Sequence, residues 1–269
     1  MVKTLNLSVI SAIMEFHWGF SVTLPLYTAS QPSYKVPPLT TLLGALAYPA
    51  LRLSQPELLV AGDLIESSVS KLLDKIIWVT GRFLNVNPRA MIEVRDLVRI
   101  ITTLGIRTQN IYPGSLLLWA VQTRGKIYAP GARFESIYIT HSQDRDAVER
   151  WATGIWRLGP REVPVSVVDV RVYNGEVVEP DTITTLFVTP RYLVTSIDEG
   201  DYVEENLPEL MREWYSIKVK DPLKLHKRYI IPLTRIKVKI KPEEALVIRD
   251  ERGEYYIIPR HRVSGYGEG

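Results

Sequence analysis

His17, Tyr34 and Lys35 are the residues whose types could do chemistry together. Metal-independent RNA cleavage needs a base near a 2′-hydroxyl, an acid for the leaving oxygen and a cation beside the developing phosphorane-like charge. An imidazole, a phenol and an ammonium can fill those roles, which makes endoribonuclease action the enzymatic reading of this chain. Other chemistries lack their residues. The chain has no cysteine, which removes disulfides, thiolate metal sites and cysteine nucleophiles together. His17, His141, His226 and His261 are scattered, with none of the close spacings that zinc sites favour. No Gly-x-Gly-x-x-Gly follows a strand pattern, and Gly125-Lys126 has no glycine placed to make a P-loop. No Gly-x-Ser-x-Gly elbow is present. The expectation is a site without metal or cofactor.

The elements that must position these residues are legible from periodicity. From Ile10 to Leu24 every even position is apolar, which predicts a strand bent near Gly19, with His17 on the polar face. Pro38 suits a first helical position, and Leu39, Leu42, Leu43, Leu46 and Ala50 fall on one helical face, so a helix is predicted from 38 to 48. Pro49 is expected to end it. Val36 and Pro37 each precede a proline and favour extended geometry, so Tyr34-Lys35 lead stiffly into that helix.

Further helices are expected from Ser54 to Trp78 and from Asn87 to Leu104, the latter exposing Arg95 and Arg99. A hairpin is predicted from Ser115–Gln122 through Thr-Arg-Gly to Lys126-Ile127-Tyr128, followed by a Pro130-Gly131 turn and a strand over Phe134–Thr140. Phe134 and Tyr138 would share one face of that strand, where RNA-binding sheets stack bases unless a second domain covers them. Ser142 can cap a helix closed by Gly159-Pro160, and Pro164–Tyr173 reads as a strand turning back at Asn174-Gly175. The remainder is mainly strands, including Arg228–Ile240, where Arg235, Lys237, Lys239 and Lys241 alternate with apolar residues. The order strand, helix, insertion, strand, helix, strand fits an α+β, ferredoxin-like domain.

Hydrophobic content of 46% and charged content of 23% suit a folded globular chain, and 269 residues suffice for one large or two modest domains. The longest apolar runs are far too short to span a bilayer, and the first residues carry no secretory pattern, so a cytoplasmic protein is expected. Few Asn and Gln beside many Ile, Val, Arg and Glu hint at a thermophile. The net charge is only +3 but is segregated. Residues 82–133 hold eight Arg or Lys against Glu93 and Asp96, and 215–241 hold nine against Asp221, while 198–213 hold seven acids and only Arg212. Such segregation suits a polyanionic partner, with a pair of solvated faces as the plain alternative.

Two passages carry a family resemblance. SYKVPPLTTLLGALAY, residues 33–48, resembles the N-terminal signature of the fifth CRISPR-associated (Cas) family of the RAMP superfamily, the subunit at the crRNA 5′ end of type I Cascade complexes. IWRLGPREVPVSVVDVRV, residues 155–172, is similar to that family's Leu-Gly-x-x-Glu-x-x-Val-x-Val passage. The archaeal, type I-A branch is the most similar. The resemblance implies a ferredoxin-like domain over 1–178 with an insertion at about 54–130, and a smaller β-rich domain over 179–269. It implies a non-catalytic role in antiviral defence, gripping the 5′ handle of crRNA and contacting the backbone subunit (the seventh Cas family) and the large subunit. Target DNA would be met indirectly, and no membrane is involved. One branch, type I-C, processes precursor RNA with a tyrosine, a lysine and an adjacent histidine. Here Lys126 precedes Ile127 and Lys35 precedes Val36, which argues against that activity. The residues expected to contact RNA are Tyr34, Lys35, Thr40, Arg107, Arg124, Lys126 and Arg133, then Arg95, Arg99 and Arg161.

Overall fold

A run of alternating apolar residues needs neighbours on both edges and a cover on each face. The computed structural model, which describes residues 6–25, 30–53, 59–61, 64–101, 119–215 and 221–263, supplies them in a six-stranded antiparallel sheet. Its strands are β1 (Leu7–Phe16), β2 (Ile76–Phe83), β3 (Arg133–His141), β4 (Val165–Val178), β5 (Ala245–Asp250) and β6 (Tyr255–Pro259). Across the sheet they run β6-β5-β4-β1-β3-β2. Helices α1 (Leu39–Leu53) and α2 (Arg145–Thr153) lie in the β1-to-β2 and β3-to-β4 crossovers, and pack on the sheet and on each other. Among the described residues no helix is long and apolar enough to cross a membrane.

Several local expectations yield to tertiary pairing. The apolar stretch ending at Trp78 is not helical there; Ile76–Phe83 is the outer strand, paired with β3. The stripe after Asn87 is also strand. Ile92–Ile101 pairs along its whole length with Trp119–Tyr128 to form a long ribbon. The Thr-Arg-Gly sequence makes no turn within that ribbon, because Thr123 and Arg124 also pair with Ser30 and Gln31. Asn174-Gly175 makes no hairpin either: Gly175 pairs with Leu7 of β1 on one edge and Asp250 of β5 on the other, so β4 runs straight through. Helix α1 continues through Pro49 to Leu53, with the proline ring packed against Gly154, where a Cβ would stand 2.8 Å away. Helix α2 ends at Thr153 with Gly154 as its cap, earlier than Gly159, and Asp144 precedes it in place of Ser142. The long strand expected over 228–240 divides into His226–Pro232 and Ile236–Ile240.

The first strand breaks at His17-Trp18 and resumes at Gly19–Phe20. Gly19 has φ +135°, and a Cβ there would run into the Ile127 carbonyl, so only glycine fits this bend. Phe134 and Tyr138 are fully buried. Tyr138 donates to the Leu42 carbonyl of α1 at 3.2 Å, so these two rings face the helices and are not exposed for base stacking. The opposite face of the sheet carries a buried ionic seam. Glu135, 1% exposed, accepts from Ser11 at 2.7 Å, Arg82 Nε at 2.7 Å and Arg252 Nη1 at 2.6 Å. Arg82 also reaches Glu254 at 3.0 Å and lies 4.4 Å from the Phe187 ring centroid. Arg252 continues to Asp250 and Tyr256. Strands from residues 182–240 form two small three-stranded sheets. In one of them Ile236–Ile240 buries its isoleucines and valine and exposes Lys237 and Lys239.

Candidate nucleic-acid interface

The segment Ser33-Tyr34-Lys35 is threaded between the ribbon and the second half of the chain. On one side the Ser33 amide donates to Glu93 Oε1 at 3.0 Å. Gly125 passes so close that a Cβ would run into the Ser33 amide and that carboxylate. Ser21 donates to the Gly125 carbonyl at 2.9 Å. On the other side the Lys35 amide donates to both oxygens of Glu205, at 3.2 and 3.1 Å. Burial pushes the Glu205 carboxyl up to about 7, against the Lys35 amide and ammonium, with Glu93 adding to the rise.

Tyr34 is 2% exposed, and its hydroxyl lies 2.6 Å from His226 Nε2. His226 Nδ1 lies 2.9 Å from the Pro222 carbonyl. A carbonyl only accepts, so Nδ1 carries the proton and neutral Nε2 accepts from the phenol. Burial lowers the His226 pKa, which favours that neutral ring, and burial together with Glu205 raises the Tyr34 phenol. Trp214 closes the group edge-on to His226 at 5.6 Å between centroids.

The outward face of the ribbon is different in character. Ile92 (66% exposed), Val94 and Tyr128 stand in solvent, and Lys126 lies between them, ion-paired to Asp96. Trp18, at the break after β1, ties this face to the loop after α2. Its indole donates to the Glu162 carbonyl, and the Lys126 ammonium lies 5.7 Å from its ring centroid. Arg133 pairs with Glu15 at 2.8 Å at the same end of the sheet. Exposed rings interleaved with cations can stack bases and neutralise phosphates. Among the described residues no group of three or more His, Asp or Glu is placed to hold a metal ion.

No family model matches the chain. Two proteins of Saccharolobus solfataricus align over most of its length. "CRISPR-associated protein Cas5 2" is 25% identical over 219 residues, covering 80% of this chain and 79% of that one. "CRISPR system aCascade subunit Cas5 1" is 26% identical over 253 residues, covering 91% and 96%. These likenesses support a Cas5 family protein. In fold it is similar to a CRISPR protein from Archaeoglobus fulgidus, with a TM-score of 0.59 at 16% identity over 94% of this chain and 99% of the other.

In this Cas5-like chain the residues singled out from sequence separate into groups. Tyr34 and Thr40 are buried, so they position the segment and offer no side chain to an outside ligand; the Thr40 carbonyl accepts from Tyr215 at 3.4 Å. Lys35 is exposed beside them. Lys126 and Arg133 share the sheet end near Trp18. Arg124 is half-buried, with its Nε buried and unbonded in the structure. Arg95 is ion-paired to Glu93 at 3.5 Å. Of Arg99 only the backbone is described, opposite Val121, and Arg107 lies outside the described residues. Arg161 is exposed on the loop after α2. His17 is exposed and bonds Ser166 at 2.8 Å; the histidine brought to Tyr34 is His226. Sequence reasoning missed Trp18 and Tyr128. The Trp-Gly pair at the end of an alternating run was the available signal for the first.

Proposed function

We propose that this protein is a non-catalytic RNA-binding subunit of a type I Cascade, holding the 5′ handle of crRNA and meeting the backbone and large subunits. The observation that carries this reading is the outward face of the ribbon with its neighbours: Lys126, Arg124 and the exposed Tyr128, with Arg133 and the half-buried Trp18 at the adjoining end of the sheet. The Saccharolobus relative named as an aCascade subunit supports the assembly role and is consistent with an archaeal, type I-A assignment. The strand order β4-β1-β3-β2, with helices in both crossovers, supports a ferredoxin-like domain over residues 1–178. Residues 179–269 then form a β-rich unit that adds β5 and β6 to the same sheet.

Metal-independent processing of precursor RNA is the rival. It would use Tyr34 and His226, 2.6 Å apart, but the phenol is buried and raised in pKa. One preparation separates the two readings. The chain is co-expressed with its backbone partner and repeat RNA, purified in EDTA, and the retained RNA is sequenced. Retention of a guide with a protected 5′ end, lost on Lys126→Ala with Arg133→Ala, is expected. Specific cleavage in EDTA that disappears in Tyr34→Phe would overturn the non-catalytic reading.

A further inference from the structure

Away from the ribbon, the C-terminal half of α1 meets the loop that follows α2. Gly154 makes this possible, since its missing Cβ admits Pro49. The consequence is that Tyr48 and Arg52 of α1 come against Trp156 and Arg157. Tyr48 and Trp156 meet edge to face, with centroids 5.6 Å apart. The Arg157 guanidinium lies 5.3 Å from the Tyr48 centroid and 5.2 Å from that of Trp156. Arg52 lies 5.8 Å from the Tyr48 ring and donates to its hydroxyl at 3.0 Å.

Trp156 is 40% exposed, so part of its ring is open to solvent. Among the described residues neither Arg52 nor Arg157 has a carboxylate in an ion pair. Two cations converge on one phenol and lower its pKa, with the Arg52 hydrogen bond the largest cause. Arg161 is exposed on the same loop, which the Leu158 amide closes on the Val163 carbonyl at 3.0 Å.

We propose that Tyr48, Arg52, Trp156 and Arg157 form a second contact site, for single-stranded nucleic acid, on the helical side of the molecule. The exposed indole offers a π-face to a base. Guanidinium groups lying against rings keep N–H edges for phosphate oxygens while the ring fixes their plane. A patch built only to hold α1 against the loop has no need of an exposed tryptophan or of two guanidinium groups set against its rings. The site shares no residue with the ribbon face.

The test uses the full chain with mixed-sequence single-stranded RNA and DNA of 12 nucleotides carrying photoreactive pyrimidines. Crosslinks on peptides containing Tyr48 or Trp156 are expected, and whichever nucleic acid gives more identifies the source. Trp156→Leu keeps apolar packing and should weaken binding about tenfold through the lost stack. Arg52→Gln with Arg157→Gln should flatten the slope of log affinity against log salt by about 1.4, at ~0.7 per phosphate contact. Both variants should keep the thermal midpoint within a few degrees. Absence of crosslinks on those peptides, an unchanged salt slope in the arginine variant, or equal occupancy by poly-glutamate at matched charge would each overturn the proposal.

Discussion

Glu135 and Glu205 are both carboxylates withdrawn from water, and they answer burial in opposite ways. Glu135 lies in the seam between the sheet and the second half of the chain. Burial pushes its pKa upward, but Arg82, Arg252 and the Ser11 hydroxyl outweigh that push and hold it below the usual range. Glu205 clamps the Lys35 amide, has no guanidinium bonded to it among the described residues, and faces Glu93; its carboxyl rises to about 7. Burial alone does not decide the charge state of an acid. The donors that accompany it do. The seam is an ionic lock that needs its carboxylate charged, whereas the clamp sits near its own titration point.

The largest break in this comparison should come from Arg82→Ala. It strips a cation from Glu135 and Glu254 at once and leaves buried charge behind, at a cost of about 3–5 kcal/mol read from the denaturation midpoint. A loss below about 1 kcal/mol would mean that Arg252 on Glu135 and Arg235, which lies 3.1 Å from Glu254, hold the seam unaided. Tyr34→Phe should cost less, about 1–2 kcal/mol, by leaving His226 Nε2 without its donor; Tyr34→Phe with His226→Phe should recover part of it.

The two acids also predict opposite pH slopes. For Glu205 the folded pKa lies above the ordinary 4.5, so the folded state holds a proton that the unfolded state has released. Its contribution is full below about 4.5 and is lost as pH rises through about 7. Glu205→Gln keeps the neutral form at every pH, so the variant should gain on the parent steadily from pH 5 to 8 in thermal melts. For Glu135 the sign reverses: its contribution is present above the ordinary range and is lost as pH falls through the depressed value. Equal slopes in Glu205→Gln and the parent would erase the contrast. The smallest effect on stability is expected from Lys35→Ala, within about 0.5 kcal/mol, because its clamp is made by the backbone amide; RNA retention should fall all the same.

Much of this architecture was legible beforehand. The alternation before Gly19, the helix after Pro38 and the exposed lysines of Ile236–Ile240 all follow from local pattern. What failed were patterns that read equally well at two periods. Met91 to Leu104 places apolar residues at helical spacing, yet pairing with Trp119–Tyr128 holds most of it extended. Asn174-Gly175 has strong turn chemistry, but both of its edges are occupied by other strands. The site was harder still, because nothing local marks Tyr34 as buried or brings His226 to it from 192 positions away. Trp156 and Arg157 were visible in the family passage, but Tyr48 reaches them only through the contact of Pro49 with Gly154.

The central position of β1 has a consequence for how the molecule is made. Its ladder partners are residues 133–141 and 165–175, so this strand is synthesised more than a hundred residues before either edge can be paired. At roughly 5–20 residues per second, that leaves an apolar edge waiting for about 10–30 seconds. Helix α2, which packs on β1, also follows the first of these partners in sequence. The cover of β1 and the pairing of its edges are therefore both completed by residues far downstream.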